Sequence, residues 1–98
     1  MPVPGFELDE TGRSAAVGTT GEPLWVSLSP REFALCAALV GANGAVCSHD
    51  TLIAAVWDDG GSRRRLEVLV CRLRRRLRPL GVDVVGVRKR GYMLAVPA

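Results

Sequence analysis

Arginine is the residue type that suggests the clearest chemistry in this chain of 98 residues. Between Arg63 and Arg90 the sequence holds eleven Lys or Arg residues and two acids, a net charge of +9, whereas the rest holds two bases and eight acids, a net charge of −6. Guanidinium groups bind phosphate and guanine through paired hydrogen bonds. One basic face on an otherwise acidic domain therefore predicts a nucleic-acid-binding protein.

The cysteines and the single histidine favour neither a metal site nor an enzyme. Cys36, Cys47 and Cys71 are odd in number and include no Cys-x-x-Cys pair, so their spacing predicts no disulfide framework and no zinc site. The chain also has no glycine-rich phosphate loop and no arrangement of a nucleophile with a base. We therefore expect a protein that is not an enzyme and that uses no metal and no cofactor. An alternative role for Cys71 is that of a redox-sensing thiol.

The length fits a single domain over residues 1–98, since single cores usually reach about 100–150 residues before chains divide. The sequence has no run of about 18 uncharged apolar residues, which a membrane-spanning helix requires. Residues 1–5, Met-Pro-Val-Pro-Gly, lack the basic and apolar regions of a secretory signal. We expect a cytoplasmic protein without a membrane partner.

Most of the basic residues belong to one amphipathic segment, which predicts a helix over residues 62–77. At about 100° per residue, its apolar residues fall within about 80° of one another and predict a buried stripe. This stripe consists of Leu66, Leu69, Val70, Leu73 and Leu77. The opposite face carries Arg64, Val68, Cys71 and Arg75, with Arg65 and Arg72 on one flank. Pro79 and Gly81 end the helix.

The start of this helix places three cations where the helix dipole disfavours them. Arg63, Arg64 and Arg65 crowd the positive end, each at a cost of roughly a few tenths of a kcal/mol. A phosphate would reverse this effect, because N-terminal amides and guanidinium groups both attract it. The alternative, a solvated charged face, would more naturally mix Glu with Arg. Between the arginines, Val68 and Cys71 are suited to touch thymine methyl groups.

A second basic cluster lies at the tip of a predicted β-hairpin. Residues 82–87 and 92–96 are predicted to form its two strands, and the tip between them is Arg88, Lys89, Arg90 and Gly91. Three consecutive bases repel one another unless an anion lies between them. We expect Arg88 to enter the minor groove, where narrow A-tract grooves attract arginine. The alternative is a solvated basic turn.

The remaining elements complete the fold prediction. Residues 3–28 read as a half-buried antiparallel sheet with strands at 6–8, 15–17 and 24–28. Ser29, Pro30 and Glu32 form a capping box that starts a helix ending at Gly41. Ser48 caps a second helix that ends near Trp57, with an apolar stripe of Leu52, Ala55 and Val56. The prediction is an α+β winged helix-turn-helix with an N-terminal antiparallel sheet, a three-helix core at 29–81 and a C-terminal hairpin wing at 82–96.

Five segments of the chain resemble the OmpR/PhoB-type winged-helix domains of bacterial response regulators. Residues 28–33, Leu-Ser-Pro-Arg-Glu-Phe, are similar to the family's Leu-Thr-Pro-x-Glu-Phe helix start. Residues 44–48 resemble its Gly-x-Val-Val-Ser segment, and residues 56–57 its Val-Trp pair. Residues 72–77 resemble Arg-Leu-Arg-Arg-Lys-Leu at the end of the recognition helix, and residues 87–92 resemble the Val-Arg-Gly-x-Gly-Tyr wing. The resemblance spans nearly the whole chain.

This resemblance implies a bacterial transcriptional regulator that binds double-stranded DNA, associated with the nucleoid. It makes Arg64 a phosphate contact, Cys71 a base-proximal residue and Arg88 the minor-groove arginine. The expected DNA-binding residues are Arg63, Arg64, Arg65, Val68, Cys71, Arg72, Arg75, Arg88, Lys89 and Arg90. A loop with Trp57, Asp58 and Asp59 matches the segment that touches RNA polymerase in activators, and a second copy bound in tandem is a further expected partner.

Departures from the family pattern limit what can be transferred. Arg65 and Leu69 replace the usual Thr and His, so the target sequence cannot be copied from a relative. Lys89 replaces the first Gly of the wing, and the loop at 58–61 is short for an activation loop. No receiver domain precedes the domain in this sequence, which leaves three alternatives open: a stand-alone regulator, one domain of a longer regulator, and the DNA-binding part of a fusion. The alternative function is a winged-helix module for protein–protein contacts, while RNA binding is disfavoured because the five aromatic residues are dispersed.

Overall fold

In the computed structural model, residues 6–17 and 24–96 are described, and they form two antiparallel sheets around three helices. The strands are β1 (Phe6–Asp9), β2 (Ser14–Val17), β3 (Trp25–Ser27), β4 (Cys47–Ser48), β5 (Asp83–Val87) and β6 (Gly91–Ala95). The helices are α1 (Pro30–Gly41), α2 (His49–Val56) and α3 (Arg63–Leu77), and a 3₁₀ turn (Arg78–Leu80) follows α3. The predicted α+β winged-helix architecture is confirmed.

The capping box predicted for α1 is present. The Ser29 hydroxyl accepts the Glu32 N–H at 3.2 Å, and the Glu32 carboxylate accepts the Ser29 N–H at 2.8 Å. The helix ends at Gly41 as predicted, and Ala42 is the C-cap. The chain leaves the helix at Asn43, which has a φ of 56°, a conformation that Asn tolerates better than most residues.

Helix α2 begins at the predicted cap, where the Ser48 hydroxyl accepts the Thr51 N–H at 3.1 Å. Its last helical residue is Val56, and Trp57 is the C-cap, in agreement with the predicted end near Trp57. Of its predicted stripe, Leu52 is buried and Val56 is half-buried, but Ala55 is exposed. Around the helix axis, Ala55 lies about 60° to one side of Leu52 and Val56 about 40° to the other side. The core covers only the side on which Val56 and Ile53 lie.

Helix α3 supplies the centre of the hydrophobic core. All five residues of its predicted stripe are at most 5% exposed. They pack with Leu35 and Leu39 of α1 and with Leu52 of α2 in one cluster that also includes Val84 and Leu94 of the wing. Full burial of such a side chain contributes about 1.5–3 kcal/mol. The core therefore determines which face of α3 is left for solvent.

The N-terminal sheet has the order β1–β2–β3, and Ala15 pairs with Val26. Ala15 and Leu28 reach the core, as the alternation predicts. Leu24 differs from the prediction: it precedes β3 and is 56% exposed. Residues 3–5 and 18–23 of the predicted sheet lie outside the described residues.

The second sheet contains a strand that the sequence did not predict. Its order is β4–β6–β5, so the two-residue strand β4 pairs with the wing through Cys47 with Tyr92 and Ser48 with Gly91. Gly91 has a φ of 147°, and a Cβ at this position would collide with the carbonyl oxygen of Cys47. Glycine is therefore required where the wing docks beside the start of α2.

Candidate nucleic-acid interface

The predicted contact residues of α3 lie on its solvent face. Ser62 caps the helix by accepting the Arg65 N–H at 3.2 Å, and the first turn contains no acid. Val68 is 48% exposed. The remaining predicted contacts on this helix are all exposed, namely Arg63, Arg64, Arg65, Cys71, Arg72 and Arg75. The structure thus brings these seven residues to one helix, with the two uncharged side chains among the arginines.

Two other arginines of α3 are used by the fold. Arg74 donates from Nε to the Val84 carbonyl at 2.7 Å and lies 3.6 Å from the Asp83 carboxylate, which ties α3 to β5. Arg76 Nε lies 3.7 Å from the Glu32 carboxylate. Glu32 itself is buried, with 4% exposure, and also closes the capping box. These two arginines, which were not among the predicted DNA contacts, have partners within the protein.

A basic cleft lies where α3 meets the end of α2 and the start of α1. We call it the Trp57 cleft; it is lined by Arg31, Trp57, Arg64, Arg65, Val68, Leu69 and Arg72. No acidic residue lines it. It joins four predicted contact residues to Arg31 and Trp57. Sequence reasoning did not single out Arg31, which stands at the variable position of the helix-start motif, away from the basic cluster.

Trp57 forms the floor of this cleft and is 5% exposed. The guanidinium carbon of Arg65 lies 4.9 Å from the centroid of the Trp57 ring, and that of Arg31 lies 6.0 Å from it, both within the range of cation–π attraction. Trp57 Nε1 is buried and has no hydrogen-bond partner. Gly61 packs on the ring so closely that a Cβ there would approach Trp57 Cδ2 to 2.7 Å.

The burial of Trp57 changes how the loop predicted to touch RNA polymerase is understood. Trp57 belongs to the hydrophobic core cluster. Asp58 and Asp59 are exposed, and Gly60 follows with a φ of 76°. The surface of this segment is therefore acidic and short, and the indole is not part of it.

The wing presents its three basic residues at a tight turn. Arg88, Lys89 and Arg90 are exposed, and the Arg90 N–H bonds to the Val87 carbonyl at 2.9 Å. Lys89 has a φ of 63°. This left-handed conformation explains why glycine suits the position in the resembling family. At the base of the wing, the rings of Tyr92 and His49 meet edge to face, with centroids 5.7 Å apart.

The thiols differ sharply in environment. Cys36 is fully buried, and desolvation raises the pKa of its thiol to about 12. Burial also raises the pKa of Cys47, whereas Cys71 is exposed. In the described part of the chain, no group of His, Cys, Asp and Glu side chains could hold a metal ion. Helices long and apolar enough to cross a bilayer are likewise absent from the described residues.

The sequence matches a family of known regulators. Residues 21–94 match the family described as "Transcriptional regulatory protein, C terminal". The chain is 38% identical over 91 residues to the transcriptional regulatory protein CseB of Streptomyces avermitilis, an alignment covering 91% of this chain and 36% of CseB. The chain thus spans about a third of the length of that relative.

Solved structures show the same fold. The C-terminal domain of the nisin resistance regulator NsrR, a lantibiotic response regulator, is 30% identical with a TM-score of 0.76, covering 96% of this chain and 95% of that one. The DNA-binding domain of the response regulator AdeR, in complex with an intercistronic region, has a TM-score of 0.79 at 20% identity, covering 92% and 93% of the two chains. Together with the family match, these likenesses mean that the chain belongs to the transcriptional regulatory C-terminal domains of the OmpR/PhoB type, a family of DNA-binding domains and not of enzymes.

Proposed function

We propose that this domain binds specific double-stranded DNA sequences, with α3 in the major groove and the wing in the minor groove, and acts in a bacterial transcriptional regulator. The observation that carries the proposal is the composition of the outer face of α3. This face combines exposed arginines with Val68 and Cys71, while the opposite face is buried in the core. Arginines serve phosphate and guanine, and small uncharged side chains between them serve thymine methyl groups.

The first turn of α3 supports a role in phosphate binding. Arg63, Arg64 and Arg65 are exposed at the positive end of the helix dipole, and the turn contains no compensating acid. This arrangement lowers the stability of the unbound protein, because the cations repel one another and are repelled by the positive end of the helix dipole. A phosphate group removes both penalties, since it accepts hydrogen bonds from guanidinium groups and from free amides.

The wing supplies the second part of the proposal. Arg88 lies at an exposed turn between Lys89 and the end of β5, and neither ion pair of the described residues involves it. An arginine at such a tip fits a narrow minor groove, whose negative potential is strongest over A·T pairs. Lys89 and Arg90 are then placed to contact phosphates, which orient the domain without reading bases.

Further partners follow from the same proposal. In a longer regulator that activates transcription, contact of this loop with RNA polymerase would fall to Asp58 and Asp59, since Trp57 is buried. Two domains bound in tandem would require directly repeated sites one helical turn apart, about 10 bp. The tandem arrangement is tested by the DNA sites that the domain selects.

Selection of bound duplexes from a random DNA pool, followed by footprinting, tests the sequence specificity. We expect a recovered motif with A·T pairs at its flank and a footprint that reveals either one site or a direct repeat. Recovery of no shared motif would refute sequence-specific reading. Weak binding to duplex DNA with little salt dependence would instead favour the alternative of a protein–protein contact module.

The salt dependence of affinity tests the contact surface itself. If about five phosphates are neutralised, log affinity should fall against log salt with a slope of about −4 to −5. Arg64→Ala should make the slope shallower by about 0.9 and weaken binding to all duplexes alike. Arg13→Gln is the matched control, because it removes the same charge in the exposed turn between β1 and β2. A wild-type slope shallower than about −2 would contradict the proposed surface.

A further inference from the structure

Arg31 lies outside both the recognition helix and the wing, in the first turn of α1. It follows Pro30, is exposed, and belongs to neither of the two ion pairs found in residues 6–17 and 24–96. The only acid in that turn, Glu32, is turned to the Ser29 N–H and to Arg76. A cation in the first turn is disfavoured by the helix dipole. Among the described residues, no acid therefore pairs with Arg31.

The Trp57 ring brings Arg31 to the recognition helix. Arg31 and Arg65 converge on the same indole, at 6.0 Å and 4.9 Å from its centroid. The ring attracts each guanidinium, but the two cations, which line the same cleft, repel each other. Every charged residue that lines the Trp57 cleft is an arginine. An arrangement of this kind is stabilised by an anion between the guanidinium groups.

A second feature of the cleft points to the same class of ligand. Four guanidinium groups line it, those of Arg31, Arg64, Arg65 and Arg72, and no acid does. This is the chemistry of a phosphate-binding site.

We propose that Arg31, oriented by the Trp57 ring, contacts a backbone phosphate of the bound DNA and extends the interface from α3 onto α1. This inference rests on the proposed function, because the strand that supplies the phosphate is the one lying against Arg64 and Arg65. Arg31 positions the domain on the duplex and reads no base, since a phosphate contact carries no sequence information. The planar guanidinium matters because it both stacks on the indole and donates paired hydrogen bonds.

The test compares Arg31→Gln with Arg13→Gln on a duplex of about two helical turns, near 20 bp. We expect Arg31→Gln to lower affinity on the order of tenfold for a selected site and an unrelated duplex alike, as loss of one charge-assisted contact does. Its salt slope should become shallower by about 0.9. Arg31→Lys should keep the slope but recover only part of the affinity. Thermal unfolding of each variant should match the wild type, because the side chain is exposed.

Single methylphosphonate substitutions locate the contact on the DNA. An uncharged linkage should weaken binding by the wild type wherever it replaces a contacted phosphate. At one of these positions, the same substitution should not weaken binding by Arg31→Gln. That position should differ from the one whose penalty vanishes in Arg64→Ala. If the affinity of the wild type falls steeply with salt but Arg31→Gln has the same affinity and salt slope as Arg13→Gln, the role of Arg31 is refuted while the proposed function stands. If the wild type itself binds without salt dependence, the proposed function fails first.

Discussion

Individual residues on the outer face of α3 have separable roles, and Val68 shows this most clearly. Its side chain is apolar and 48% exposed between arginines. Exposed apolar side chains are common, but one in the centre of a basic helix face is well placed to touch a thymine methyl group. Val68 is therefore the residue for which base reading and phosphate binding can be separated experimentally.

We predict that Val68→Ala weakens binding only to sites that carry the contacted thymine. Replacing that thymine with uracil, which lacks the methyl group, should weaken the wild type by about three- to tenfold and hardly affect the variant. Competition binding with the four combinations of protein and DNA measures this coupling. Arg64→Ala is the comparison, since it should lose the same affinity with thymine and with uracil. Additive effects of Val68→Ala and uracil would exclude the contact.

The three thiols provide a second prediction at the residue scale. The thiolate is the reactive form, and burial raises the pKa of Cys36 to about 12 and also raises that of Cys47. Near pH 8 a thiol-specific reagent should therefore modify Cys71 first, in a single rapid phase that Cys71→Ser removes. Bound duplex DNA should slow this phase, because Cys71 lies on the proposed reading face. Equal rates with and without a saturating duplex would contradict that placement.

At the scale of elements, the wing requires glycine at one position and carries a charged residue with a left-handed backbone at another. Gly91 meets the requirement, since no side chain fits against the Cys47 carbonyl there. Lys89 lacks the conformational freedom of glycine, yet it adopts a φ of 63°. A non-glycine residue in this left-handed region costs about 1–2 kcal/mol. The wing accordingly carries backbone strain at the position that adds its central charge.

Lys89→Gly should stabilise the domain by about 1 kcal/mol and weaken DNA binding at the same time. Lys89→Ala is the matched control, because it removes the charge without relieving the strained φ. Both variants should lose affinity to a similar degree and lower the salt slope, but only the glycine variant should show a higher midpoint of denaturant unfolding. Equal midpoints for the two variants would show that the turn is not strained.

At the scale of the whole molecule, the charge distribution opposes folding and favours DNA binding. The segment from Arg63 to Arg90 carries a net +9, and the rest of the chain carries −6. Only two ion pairs are found within the described residues, Arg74 with Asp83 and Arg76 with Glu32. The other arginines of α3 are exposed and belong to neither ion pair, so salt screens the repulsion among them over about 10 Å at 0.1 M.

The free domain should consequently become more stable as salt is added, over the same range in which its affinity for DNA falls. Added ions screen the repulsion among the α3 arginines, whereas they compete with the protein for the phosphates. Unfolding midpoints and duplex affinities measured in the same buffers check both signs. Arg65→Ala should reduce the gain in stability, and Arg13→Gln should not. A midpoint that falls steadily with salt would mean that attractive pairs dominate the folded state.

The amino-acid sequence alone determined the features that depend on neighbours a few residues apart. Ser29 and Ser48 cap their helices through hydrogen bonds to residues three positions later, as predicted, and Ser62, predicted only as the start of α3, caps that helix in the same way. The buried stripe of α3 and the exposed wing tip follow from periodicity and turn chemistry, which are also local. The solvent face of α3 follows in turn, because the core must take the apolar side.

Only the tertiary structure decided the features that join distant segments. The pairing of β4 with β6, the burial of Trp57 and the convergence of Arg31 with Arg65 on its ring each bring together residues from separate elements. Arg74 and Arg76 bind partners within the protein, the Val84 carbonyl and the Glu32 carboxylate. The helical period of α3 does not identify these partners. Such contacts depend on how the helices and the wing pack, and no local hydrogen bond or periodicity encodes that packing.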